Sequence, residues 1–408
     1  MEYNSGKLSF DGMDIDKISK NLTTPYYLYS ENLIKENINS YMKHASENTL
    51  FCYSVKANSN LSILKLIASM GMGFDVVSQG ELFRVMTIGA DPKKIVYSGV
   101  GKGKDEIKYA LECGILCFNV ESEGELHAIN EQASAINCTA NVSIRVNPDV
   151  TVETHPYIST GMKENKFGIP YNNALDIYLK ALKLQSLKII GIDFHIGSQI
   201  TSIGPYLDSL KSIKALIHEL KKENIELSHI DVGGGLGIKY KDENIINKDV
   251  FISTIIDELN DLNITILFEP GRSVVGDCGI LVSQVQYIKE TDDKNFLILD
   301  ASMSELIRPP LYDAYHNITP VYKKESMYKN YDIVGPVCES ADFLGKNRPM
   351  NVDVSDLVVV EDVGAYGFVL SSNYNTRPKP AEYIISNGNI NIIRSADTLD
   401  QILANELL

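Results

Sequence analysis

The chain has 408 residues, 44% of them apolar, which is enough for a large buried core and for more than one domain. Its 53 acidic and 38 basic residues leave a formal charge of −15, which argues against a nucleic-acid or anionic-membrane binder, since both need basic surface. No apolar run approaches the roughly 20 residues of a membrane span, and the N-terminal MEYNSGKLSFDGMDIDK carries no basic segment followed by an apolar stretch.

The elements are read in chain order. ENLIKENINSYM places Ile34, Ile38 and Tyr41 at helical spacing, with Ser30 positioned as the cap. LFCYSVK at 50–56 is a short strand, followed by the helix NLSILKLIASM and the strand GFDVV at 73–77. Helical runs then alternate with strands at 94–99, 115–120, 141–147 and 188–195. The long helix PYLDSLKSIKALIHELKKE puts Leu207, Leu210, Ile213, Ile217 and Leu220 on one face. Two further strands lie at 228–235 and 264–271. Eight alternating units in about 250 residues predict parallel strands closed into an α/β fold, a (β/α)8 TIM barrel over 28–275. After 275 the strand-like runs have few helices between them. They predict a mostly antiparallel β domain, a sandwich or barrel, over 276–408, with residues 1–27 contributing a strand.

Chemistry in such a barrel collects at the C-terminal strand ends. Those ends carry Lys56, Asp75, His195 and Ser198, the run Gly233, Gly234, Gly235 and Gly237, then Glu269, Gly271 and Arg272. Alternation puts Cys52, Ser54 and Lys56 on one face, which predicts a lysine inside the mouth, where burial lowers an amine pKa. Each residue also has a plain structural reading: a solvated strand end, a packed imidazole, a glycine turn, a surface ion pair. Their coincidence at one mouth favours function. Glycine backbone and an arginine fork suit a phosphate. A lysine able to form an imine beside that phosphate site points to pyridoxal phosphate, with Glu269 the candidate partner of the ring nitrogen. The six cysteines (Cys52, Cys113, Cys117, Cys138, Cys278 and Cys338) show no CxxC, and HExxH is absent. Reduced thiols in the cytoplasm and no metal site are expected.

YSVKANSN, HIGSQ, GGGLGI, EPGRS, LIRPPLYDAYH, CESADFLG and GAYGFVLSSNYNTRPKPAE, spread in order from about residue 25 to about 400, resemble the diaminopimelate decarboxylases. These are pyridoxal-phosphate enzymes of the alanine-racemase-like barrel type. The pairing of RPxLYDAYH with CES is the more specific part, since EPGR is shared more widely. The resemblance implies Lys56 as the Schiff-base lysine and Cys338 as the proton donor. It implies cofactor contacts at Asp75, His195, Ser198, Gly234, Gly235, Glu269, Gly271, Arg272 and Tyr366. Substrate contacts are implied at Arg272, Arg308, Tyr312, Glu339 and Tyr366. The implied reaction takes meso-2,6-diaminopimelate to L-lysine and CO2, in a homodimer whose sites are shared across the interface. The segment 159–168 resembles the family's active-site loop, and RPPLY has a second proline where alanine is more usual. Three rivals stay open: a decarboxylase of ornithine, arginine or a carboxylated polyamine, a cofactor-carrying protein without activity, and a racemase.

Overall fold

The computed structural model describes residues 1–148, 166–325 and 327–407. It divides into two compact units: residues 38–238 with 244–273, and residues 1–37 with 239–243 and 274–408.

The first unit is the barrel. Its eight strands are Thr49–Ser54, Gly73–Val76, Ile95–Tyr97, Cys117–Val120, Ala140–Asn147, Leu187–Asp193, His229–Asp231 and Thr265–Phe268. All neighbours pair in parallel, and the circle closes where Ile266, Leu267 and Phe268 meet Thr49, Leu50 and Phe51. Cys52, Val96, Cys117, Ile190 and Leu267 fill part of the interior with small and branched side chains. The connecting helices start where a side chain can accept a free backbone N–H. Asn60, Ser78 and Ser122 each cap the helix that follows. The helix Lys104–Cys113 stops at Gly114, whose φ of 69° reverses the chain. On the helix Gly204–Lys222 the buried stripe is Tyr206, Leu210, Ile213, Leu216, Ile217 and Leu220. Leu207, expected on that stripe, is half-buried beside it.

The second unit is mostly sheet. The strand order is Phe343–Met350, Lys329–Val334, Asn295–Leu299, Gly279–Glu290, Tyr26–Ser30, Ala381–Ser386 and Asn389–Arg394. The twelve-residue strand Gly279–Glu290 organises it. Its first half pairs with Tyr26–Ser30 and Leu357–Val360, and its second half with Asn295–Leu299, all antiparallel. Two pairings are parallel: Tyr26–Ser30 with Ala381–Ser386, and Asn295–Leu299 with Lys329–Val334. Leu8, Phe10, Ile15, Tyr26, Leu28, Ile280, Val282, Val359 and Ile385 form its core. Ser30 ends its strand and accepts the N–H of Leu33, so it caps the helix Glu31–Met42 as its position suggested. No helix among the described residues is long and apolar enough to cross a membrane.

Candidate active site

The barrel's polar residues gather at the C-terminal ends of its strands, each delivered by a short apolar run that the core buries. Lys56 is not in the first strand, as alternation suggested. The strand stops at Ser54, whose N–H goes to the Pro270 carbonyl, and Val55–Ala57 form a 3-10 turn. Lys56 Nζ lies 2.9 Å from Asp75 Oδ2, and the lysine side chain is 38% exposed. An ion pair with a fully buried acid holds the amine, which is less buried than the place inside the mouth expected for it. The Ser54 hydroxyl lies 2.8 Å from the same Asp75 oxygen and 3.1 Å from the Glu269 carbonyl. Asp75 Oδ1 is buried without a hydrogen-bond partner among the described residues.

Glu269 directly follows the eighth strand and is buried. Its Oε1 accepts from Ser98 Oγ and Asn119 Nδ2, each at 3.3 Å. Asp193 and Asp231 offer carboxylate oxygens within 4.8 Å of it and of each other. Burial, followed by the charges of Asp231, Asp75 and Asp193, pushes the Glu269 carboxyl well above the usual range. Asp231 is pushed up to about 6, first by burial. Asp193 is raised well above its ordinary value by burial and Asp231, with Arg145 opposing. Arg145 is bonded to Glu121 at 2.7 Å and lies 3.7 Å from Asp193. This part of the barrel has more acid than positive charge to balance it.

The glycine run is required by close approach. A Cβ on Gly233 would meet His195 Nδ1 at 2.7 Å, one on Gly234 would meet the Glu269 carbonyl oxygen at 2.0 Å, and one on Gly235 would meet the Gly197 carbonyl oxygen at 2.2 Å. Gly233 and Gly235 also have φ of 67° and 108°, in the left-handed region. Two of the N–H groups that the sequence suggested as phosphate donors bond within the protein. The Gly233 N–H donates to Asp231 Oδ1 and the Gly234 N–H to His195 Nδ1. That second bond makes Nδ1 an acceptor. Burial, Arg145 and Lys56 hold the imidazole pKa well below its ordinary value, so His195 is neutral with its proton on Nε2. Arg272 is buried and donates to Ser198 Oγ at 3.0 Å, and Gly271 packs against Ser54. Lys56, Asp75, His195, Ser198, Gly234, Gly235, Glu269, Gly271 and Arg272 thus all belong to one unit and to its strand ends.

The remaining candidates belong to the β unit. Cys338 and Glu339 are exposed, on a turn between two paired strands. Asp342 holds that turn by accepting the N–H groups of Val337 and Met303 at 2.8 and 2.6 Å. Asn375 Oδ1 accepts the N–H of Cys338 at 2.8 Å. Arg308 is buried and Tyr312 half-buried, at the two ends of the five-residue helix Arg308–Tyr312. Pro309 and Pro310 occupy its first turn, where an N–H has no helical acceptor, so the second proline costs the helix no bond. Tyr366 has a φ of 56°, an uncommon conformation for an aromatic residue. Of the loop 159–168, residues 159–165 lie outside the described residues.

Sequence reading passed over Ser98, Asn119, Asp193 and Asp231, the groups around Glu269. Each follows or interrupts an apolar strand at an inward position, which was the available signal.

These residues fit pyridoxal phosphate. Lys56 supplies an amine for the aldehyde. The carboxyls of the acid cluster, pushed up by burial and by one another, would be stabilised in their charged form by one positive charge, which a protonated ring nitrogen would provide. Ser198 and Arg272, hydrogen-bonded to each other, offer donors of the kind a phosphate takes.

Residues 31–276 match the family described as pyridoxal-dependent decarboxylase, pyridoxal binding domain. The diaminopimelate decarboxylase of Pseudomonas aeruginosa is 44% identical over 407 residues, covering 100% of this chain and 98% of the relative. That of Neisseria meningitidis serogroup B is 45% identical over 392 residues, covering 96% and 95%. The crystal structure of the Helicobacter pylori enzyme complexed with L-lysine superposes with a TM-score of 0.93 at 40% identity, covering 96% of this chain and 99% of that one. The chain belongs to the diaminopimelate decarboxylase family of pyridoxal-dependent decarboxylases.

Proposed function

We propose that the chain removes CO2 from the D-configured centre of meso-2,6-diaminopimelate and yields L-lysine, the last step of lysine biosynthesis, in the cytoplasm. The observation that carries this reading is full-length similarity to diaminopimelate decarboxylases, joined to a lysine and a buried acid cluster at one barrel mouth. When bound, pyridoxal phosphate supplies the electron sink for the bond that loses CO2.

The chain's own residues supply the rest. Asp75 orients the Lys56 amine toward the aldehyde. Glu269, held by Ser98 and Asn119, keeps a proton on the ring nitrogen. Neutral His195 lends an uncharged face to the ring. Ser198, Arg272 and the Gly235 backbone hold the phosphate. Arg272, Arg308 and Tyr312 meet substrate carboxylate, Glu339 meets the distal ammonium, and Tyr366 contacts cofactor and substrate. The Cys338 thiol delivers a proton to the carbon that has lost its carboxylate.

The working unit in this reading is a homodimer, with Lys56 of one subunit serving Cys338 of the other. A thiol and an acid with chemistry to perform, both exposed on the single chain, support it.

Purified protein with pyridoxal phosphate and meso-diaminopimelate should release CO2 and L-lysine in equal amounts. Turnover of ornithine or a carboxylated polyamine, with no lysine formed, would replace this reading with that of a related decarboxylase. Mixing Lys56→Ala with Cys338→Ala subunits should restore activity in the heterodimers. Verified heterodimers that stay inactive would place the whole site in one chain.

A further inference from the structure

Arg308 is a buried guanidinium whose acceptors include two uncharged groups. One of its Nη1 hydrogens goes to the Tyr240 hydroxyl at 3.1 Å, and Nη1 lies 2.8 Å from His316 Nε2. The guanidinium also lies 4.8 Å over the Tyr240 ring, and that ring meets His316 edge to face at 5.3 Å. His316 is fully buried. Its other nitrogen, Nδ1, lies 2.8 Å from the Glu361 carbonyl oxygen.

These two partners leave the imidazole one state. A guanidinium only donates, so Nε2 must accept and carries no proton. A carbonyl oxygen only accepts, so Nδ1 must carry the proton. The Glu361 carboxylate is occupied elsewhere, accepting from Asn317 Nδ2 and Thr319 Oγ1, and its carbonyl is what faces His316. An acid at position 316 would also fix Arg308 but would cancel its charge. A neutral imidazole fixes the direction of the guanidinium without adding a negative charge beside it.

We infer that His316, held as the Nδ1–H tautomer by the Glu361 carbonyl, is a positioning and specificity residue that orients Arg308 toward a carboxylate of the substrate. It acts through Arg308 and touches no reacting atom. The inference rests on the proposed function, in which Arg308 meets substrate carboxylate, and assigns to it the carboxylate that the product L-lysine retains.

The test uses the holoenzyme and two probes, L-lysine and pentane-1,5-diamine, which differ by that carboxylate. Calorimetric binding is measured for wild type, His316→Phe and His316→Gln. His316→Phe should weaken L-lysine binding roughly tenfold or more, the size of a lost charge-assisted hydrogen bond, and leave the diamine unchanged. In turnover, KM for diaminopimelate should rise with kcat little altered. His316→Gln keeps a donor for Glu361 and an acceptor for Arg308, and should recover most of the loss. Tyr240→Phe removes the hydroxyl that also accepts from Arg308 and should show a smaller loss with the same selectivity. It also serves as the test if His316→Phe does not fold.

Unchanged L-lysine binding in these variants overturns the inference, as does an equal loss for both probes. A wild-type protein that binds L-lysine no better than the diamine would instead defeat the proposed function, and the inference with it.

Discussion

Glu269 owes its environment to residues distant in sequence. Its own strand supplies only a buried position after an apolar run. Asn119, Asp193 and Asp231 come from three other strands, and Ser98 directly follows a fourth. Replacing Glu269 with Gln keeps the shape and removes the charge that would sustain a protonated ring nitrogen. The variant should bind pyridoxal phosphate and lose about 100-fold or more in kcat, the usual scale for removing one preorganised electrostatic group. Near-wild-type turnover would take Glu269 out of its role. Lys56→Ala makes the complementary prediction: the visible absorption of lysine-bound cofactor should disappear, and a band that survives would remove Lys56 from the chemistry. Lys56 was legible as a residue at the mouth because short apolar strands end in polar residues there. Its seat on a 3-10 turn, paired with Asp75, was not legible. The Pro270 carbonyl that takes the Ser54 N–H is more than 200 positions away in the chain.

Two elements show how local sequence becomes geometry. The triple glycine was readable as a place where backbone comes close, but not as one whose first two N–H groups are taken up within the protein. Two of its N–H groups fix Asp231 and His195. Gly234→Ala would place a methyl carbon about 2.0 Å from the Glu269 carbonyl oxygen, a backbone neighbour that cannot swing aside. This substitution should lower thermal stability and cofactor affinity together, as measured by melting and cofactor titration. Stability equal to wild type would mean that the loop can shift. The turn carrying Cys338 is held by Asp342 through two N–H groups. Asp342→Ala should cost about 1–3 kcal/mol in stability, the scale for leaving buried donors unpaired, and should change the rate at which Cys338 is alkylated. Wild-type values for both would deny Asp342 that function. The motif CESADF names its acids but does not say which of them points at the backbone.

At the scale of the whole molecule, pH acts through buried groups that the mechanism does not use. His229 packs inside the barrel against Gly191 and Cys117, and burial lowers its pKa to about 4 from 6.5. Between those values the unfolded chain binds a proton that the native chain does not. Its contribution is therefore lost as pH falls from 6.5 to 4, by about 3 kcal/mol in all. Glu81 and Asp362, both raised to about 7 by burial, act in the opposite direction, since the native chain keeps their protons and stability falls as pH rises toward 7. The cofactor-free His229→Gln variant should therefore gain on wild type in unfolding free energy as pH is lowered from 7 to 4. A difference that stays constant over that range would mean that His229 is protonated in the native state. By itself the sequence determined the alternation of eight strands with helices, the change to a sheet-rich C-terminal part and the polar character of the strand ends. Periodicity, caps and glycines act over a few residues, and their signals are local. Only the tertiary structure decided the acid cluster around Glu269, the tautomer of His316 and the turn that seats Lys56, because each depends on hydrogen-bond partners that folding brings together from distant parts of the chain.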